Sequence, residues 1–257
     1  QGNTAISAPS LSTTGPLTTS GGSLDLSVAG DLTVASLLST AGGNFTATAD
    51  NNVNFSATGS LATAGGDALV KADADEDHNG SGGALTMTDG SSVTSGVGTI
   101  ALAADGNITL SRLVTTNNTA EAISISSNSG SLLDSGDTLG ADLEASSSTA
   151  VVTLTSATGI GSTANPIETK VSKLNARVTG VGDVAITESD ALTLVEIETS
   201  NGAIAITAGD SIAVTKVTSA ATDDGTNPIA ITTTSHNINV ETLTAGYANN
   251  VTLTAAG

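Results

Sequence analysis

The stretch from Lys71 to Gly83, KADADEDHNGSGG, gathers the densest set of ligand-type side chains in the chain. Asp75, Asp77 and Asn79 alternate, and Gly80 completes the D-x-D-x-N-G that opens a calcium loop. Calcium takes roughly six to eight hard oxygens, and a glycine at the sixth position permits the turn that makes them converge. Counting on, the twelfth position is Thr86 and not the bidentate glutamate of an EF-hand, and no flanking helices are expected. The missing carboxylate would come from Asp73 or Asp89. The expectation is therefore a Ca2+ loop held by Asp73, Asp75, Asp77 and Asn79, with Asp89 as a further donor. The competing reading is a solvated loop whose charge only keeps it soluble.

Other residues with chemical potential fit catalysis less well. Glycosidases need two carboxylates at a set separation, and Glu196/Glu198 and Glu188/Asp190 have the alternate spacing that places each pair on one strand face. Aromatic sugar platforms are nearly absent, so a solvated outer face is expected for both pairs. His78 lies in the acidic stretch and His236 beside a turn, far apart in sequence, and no serine sits in a G-x-S-x-G elbow. Asp223-Asp224-Gly225 reads as a turn. Thr-x-Thr at Thr46/Thr48, Thr86/Thr88 and Thr153/Thr155 raises an ice-binding array, which the unequal repeat lengths exclude. A non-enzymatic protein is expected.

What would position such residues follows from composition. The 257-residue chain has two Phe, one Tyr, one Met and neither Trp nor Cys, yet 38% of it is hydrophobic. Small aliphatics must do the burying, which suits a thin core repeated many times. The net charge of −19, with only six Lys plus Arg, leaves no basic footprint for nucleic acid or for an anionic membrane surface. No apolar run reaches the roughly 20 residues of a membrane span. The amino terminus, QGNTAISAPS, lacks the basic and apolar regions of a signal peptide, and Gln1 without an initiator Met reads as the start of a processed or excised segment.

Short alternating runs recur along the whole chain: SLDLSV (23–28), NFTATA (44–49), TIALAA (99–104), NITLS (107–111), AISIS (122–126), AIAIT (203–207), IAITT (229–233), NVTLT (250–254) and others like them. Each has the period of two that marks a strand, and most are bounded by Gly, Asn-Gly or Gly-Asp turns. No segment keeps a helical period. The unit of strand, short turn, strand and longer link repeats every 20 to 30 residues or so, a period that signals a solenoid. The expected fold is all-β: a right-handed parallel β-helix of roughly ten coils, stacked about 4.8 Å apart into a rod on the order of 50 Å long. A β-sandwich or tandem immunoglobulin-like modules would need the buried Trp or tyrosine corner that this chain lacks. Residues 1–20 read as a lead-in and 21–257 as one repeat domain, from which the acidic loop 71–83 projects.

GDLTV (30–34), NITL (107–110), AIAITAGDSIAV (203–214) and above all GIGSTANPIETKVSKLNA (159–176) with GDVAITESDALTL (182–194) resemble the repeats of filamentous-haemagglutinin-like exoproteins. That family comprises very large bacterial surface proteins exported through an outer-membrane partner. The resemblance runs from about Gly21 to Gly257 and implies a β-helical shaft with a role in adhesion, biofilm or filament formation at the bacterial cell surface. The family's amino-terminal secretion domain carries an NPNG-type motif; this chain has only Asn165-Pro166 and Asn227-Pro228, inside repeats. A central shaft segment is implied, whose partners are neighbouring repeats or copies of the same protein, with glycans engaged through other regions. A second reading is a self-assembling filament subunit stacked end to end, because NVTLTAAG stops still in the repeat pattern. A carbohydrate-binding or carbohydrate-cleaving β-helix is a third.

Overall fold

The computed structural model describes residues 2–75, 83–220, 227–247 and 249–257. Among them there is no helix; short strands wind into three parallel sheets of 11, 6 and 11 strands. The chain is a parallel β-solenoid of eleven coils, as the alternating runs require. A typical coil has a five-residue strand in the first sheet and three-residue strands in the second and third, as in Phe45–Ala49, Val53–Phe55 and Ser60–Ala62. Thr4–Ala8 pairs in register with Leu24–Val28, so residues 4–18 form the first coil.

Alternation puts one set of side chains into the shaft, where each lies on its equivalent in the next coil. One ladder runs Leu24, Phe45, Ala68, Ile100, Ile123, Val152 and Leu174. Another runs Leu32, Val53, Leu85, Ile108 and Leu132. All of these are at most 1% exposed. The strand residues between them, such as Thr46, Ser124 and Thr153, face outward. Burying one Leu or Ile side chain contributes about 1.5–3 kcal/mol, so many thin layers replace one thick core.

Corners hold the register. Where the third sheet passes to the next coil, side-chain hydroxyls turn toward backbone carbonyls. Thr19 donates to the Gly22 carbonyl (2.6 Å) and Ser95 to Gly98 (2.7 Å), and Thr40 and Thr63 do the same to Gly43 and Gly66; at the corner that follows the first sheet, Thr199 likewise donates to Gly202 (2.7 Å). The second glycine of each T-x-G-G corner is required by close approach: a Cβ at Gly43 would overlap the carbonyl of Gly22, and one at Gly66 that of Gly43. At the corner between the first and second sheets, Asp31, Asn52 and Asn107 accept the backbone N–H of the equivalent residue one coil on, at 2.9–3.1 Å.

One seam interrupts this regularity. The second sheet ends at Leu132–Asp134, and only the single residue Ile160 continues its line, bridging Leu132 to Val184. Residues 135–142 and 161–166 leave the wall on the two coils at this point. Ile167–Val171 then joins the lower and upper halves. Its Thr169–Val171 pair with Leu143–Ala145 below, and its Ile167–Thr169 pair with Ile186–Glu188 above. Beyond the seam the first-sheet strands lengthen to Lys173–Val181, Leu192–Asn201, Ile212–Ser219 and Ile238–Ala245. In Leu192–Asn201 the buried set shifts phase, from Leu192 and Leu194 to Ile197 and Thr199, where Val195 is inserted against the partner strand. One strand thus bends around a corner that elsewhere needs a turn.

Candidate metal centre

The residues expected to form a calcium loop are placed as follows. Asp73 directly follows the strand Ala68–Ala72, at the corner between the first and second sheets. It is buried, has a left-handed φ of 52°, and its N–H donates to Asn51 O at 3.1 Å. Asp75 is exposed. Asp77 and Asn79 lie outside the described residues, as do His78 and Asp223-Asp224-Gly225. Asp89 stands on the far side of the strand Leu85–Met87, at the corner between the second and third sheets. Its carboxylate accepts the N–H of Thr138 at 3.1 Å and the Thr138 hydroxyl. Asp89 therefore stands at a different corner from Asp73, hydrogen-bonded to Thr138.

An acidic group is built at the seam. Asp134 ends the last strand of the second sheet, Asp142 precedes the strand Leu143–Ala145, and Glu168 lies on the next coil in Ile167–Val171. Each offers a carboxylate oxygen, and the three oxygens lie within 4.8 Å of one another. The intervening residues 135–142 can leave and re-enter the wall because Gly136 and Gly140 take φ of 130° and 83°. Gly136 N–H caps Asp134 Oδ1 at 2.7 Å, and Asn165 Nδ2 holds the Asp134 carbonyl at 3.3 Å. Glu168 N–H donates to Asp142 Oδ2 at 3.2 Å, tying the two coils together. Below, Thr138 anchors the excursion to Asp89.

Asp142 is 1% exposed and Asp134 9%. Asp142 Oδ1, Asp134 Oδ2, Glu168 Oε2 and the Ser135 hydroxyl oxygen are buried with no hydrogen-bond partner among the described residues. Arg112, on the coil below, is committed to Glu144 at 2.8 Å. Burial and the neighbouring Asp134 push the Asp142 carboxyl up to about 9. Burial, with Asp137 and Asp134 nearby, pushes Glu168 to about 7. Carboxylates crowded out of water in this way either retain protons or share a cation.

The other pairs separate. Glu188 and Asp190 do not share a face: Glu188 is buried inside the shaft, whereas Asp190 lies exposed beyond the strand's end, where its N–H donates to Glu188 Oε1 at 3.0 Å. Alternation fails there because the strand stops at Glu188. Glu196 and Glu198 do share the outer face of the first sheet, beside a surface hollow of about 230 Å³ that Arg177 also lines. Each meets a cation, with Lys216 Nζ 2.5 Å from Glu196 and Arg177 Nε 3.9 Å from Glu198. The Lys216 ammonium holds Glu196 below the usual carboxylate range. His236 Nδ1 lies 2.7 Å from Asp210 on the surface.

The seam group has a partial signature in sequence: D-S-G-D at 134–137, then Asp142, places three carboxylates and two glycines in nine positions. Glu168 carries no such signal, since it joins only when one coil lies on another. The fold defines the class, a parallel β-solenoid with an acidic group at a break in its sheets. No family model, curated protein or solved structure matches the chain.

Proposed function

We propose that this chain is a structural, adhesive shaft segment of a large bacterial cell-surface or extracellular filament protein of the filamentous-haemagglutinin-like type. The observation that carries the reading is the unbroken backbone pairing of the first sheet through all eleven coils, over aliphatic ladders that leave little room for anything but stacking. Its work is mechanical. Continuous hydrogen bonding along the axis resists bending, and an acidic outer face with few cations keeps rods from adhering to one another nonspecifically. The partners are the coils of neighbouring repeats or of further copies, and the place of action is outside the cell.

The second reading is a self-assembling filament subunit that stacks end to end. Val251–Ala255 is exposed along its whole length, with Val251 at 43% and Leu253 at 46%, and pairs on one side only, with Ile229–Thr233. Further coils covering that edge, of this or another chain, would bury it. Negative-stain microscopy of the purified chain tests both readings. Monodisperse rods on the order of 50 Å long, from coils about 4.8 Å apart, support the shaft. Long fibres of one coil's width support end-to-end assembly, and rounded or irregular particles would overturn both. A glycan array with strong, selective hits would instead favour the carbohydrate-binding reading.

A further inference from the structure

We propose that Asp134, Asp142 and Glu168 hold a hard divalent cation of the calcium class, which clasps the excursion 135–142 against the next coil where the second sheet ends. Acidic residues alone would not support this. What points to a ligand is that a fully buried carboxylate, Asp142, has one oxygen that no N–H or hydroxyl donor of the described residues reaches, only the Asp134 carboxyl standing beside it, in a group whose other two members each bury an oxygen in the same position. A buried polar atom left unsatisfied is costly, more so when charged, and native structures rarely place several together without reason.

The donor set names the chemistry. It is entirely oxygen, from three carboxylates with the Ser135 hydroxyl nearby, and neither His nor Cys takes part. That set suits hard cations and not zinc or copper. Opposite oxygens around calcium lie roughly 4.6–5.2 Å apart, given its bond lengths of about 2.3–2.6 Å, so three oxygens within 4.8 Å of one another fit one ion. Magnesium, with shorter bonds and a strict octahedron, suits this irregular corner less well. The placement gives the ion a task. Asp134 and Asp142 bracket the excursion like the two ends of a clasp, Glu168 comes from the coil above, and Asp89 fixes Thr138 from below. An ion here joins two coils by ligation at the point where the second sheet ends.

The test is calorimetric titration of the whole chain with CaCl2 and separately with MgCl2, with melting followed in calcium and in EDTA. Three variants are compared with the wild type: Glu168→Gln, Asp134→Asn and the double change Asp75→Asn/Asp77→Asn in the acidic loop. Calcium should raise the melting temperature of the wild type and of the loop double variant alike. Glu168→Gln and Asp134→Asn, whose shapes are preserved, should each weaken calcium binding tenfold or more and lose the melting shift. If one of them fails to fold by circular dichroism, the other decides. The proposal is overturned if the wild type binds no calcium at millimolar concentration. It is equally overturned if the response survives in Glu168→Gln and disappears in the loop variant, which would place the ion at Asp73–Asn79 instead. Binding of magnesium at least as tight as that of calcium would overturn the assignment of ion class.

Discussion

Ile206 and Thr207 are neighbours in sequence and opposites in environment. Ile206 is 1% exposed and lies between Ile186 and Ile231 in the shaft, whereas Thr207 faces outward between Thr187 and Thr232. Ile206→Asp would bury an unpaired charge and should cost about 3–5 kcal/mol or abolish folding. Thr207→Asp should change stability by less than about 1 kcal/mol. Urea unfolding of the two variants checks this, and equal losses would refute the inside–outside assignment. Glu188 shows that a charged type can take an inward position when its oxygens are satisfied. Oε2 accepts the Thr169 hydroxyl at 2.8 Å and the Val171 N–H at 2.9 Å. Burial nevertheless pushes its carboxyl above the ordinary value of 4.5, against the pull of those donors. The folded chain thus keeps this proton to higher pH than the unfolded chain. The associated stability is fully present below about pH 4.5 and is lost as pH rises through the folded-state value. Relative to Glu188→Gln, wild-type stability should therefore fall as pH rises above about 4.5. A difference in melting temperature that stays flat over that range would contradict it.

At the scale of strands and corners, the T-x-G-G segments at 19–22, 40–43 and 63–66 are the repeating device. Each hydroxyl satisfies a carbonyl inside the shaft, and each second glycine lets the neighbouring coil approach. Gly43→Ala should cost more than about 2 kcal/mol, because a backbone carbonyl stands where the methyl would go. Gly15→Ala, with nothing within 4 Å of the added carbon, should be neutral or slightly stabilising. Thermal melting of the pair measures the contrast, and similar shifts would show that coil contact is not what requires Gly43. The long strands beyond the seam carry a related lesson. Leu192–Leu194 is legible as an alternating run, but its continuation through Asn201 is not, because Val195 shifts the phase and only the partner strand's register shows that pairing resumes.

For the molecule as a whole, stability should be a sum over neighbouring coils and not the property of one core. Leu24 and Phe45 occupy the same rung. Removing residues 24–44 joins Ser23 to Phe45 and deletes one coil in frame, so the shortened protein should fold with a modest loss of stability. Removing 24–43 instead delivers Asn44 to the buried rung and turns every following apolar side chain of that strand outward, so it should fail to fold. Circular dichroism and size-exclusion elution of the two deletions distinguish these outcomes, and two equally folded proteins would mean that register is not fixed by the ladders.

The sequence by itself determined the strand class, the coil repeat and which face of most strands turns inward. Those features are local: a period of two, small aliphatics and turn glycines act over a few residues and need no knowledge of distant ones. Tertiary structure alone decided what stacking creates. It made residues 4–18 a coil, sent Glu188 inward and Asp190 out, and assigned Asp89 to Thr138 instead of to Asp73. It also brought Glu168 to Asp134 and Asp142 across a separation of a whole coil. In a solenoid, contact depends on coil length summed along the chain, and one excursion or one inserted Val195 resets which residues meet.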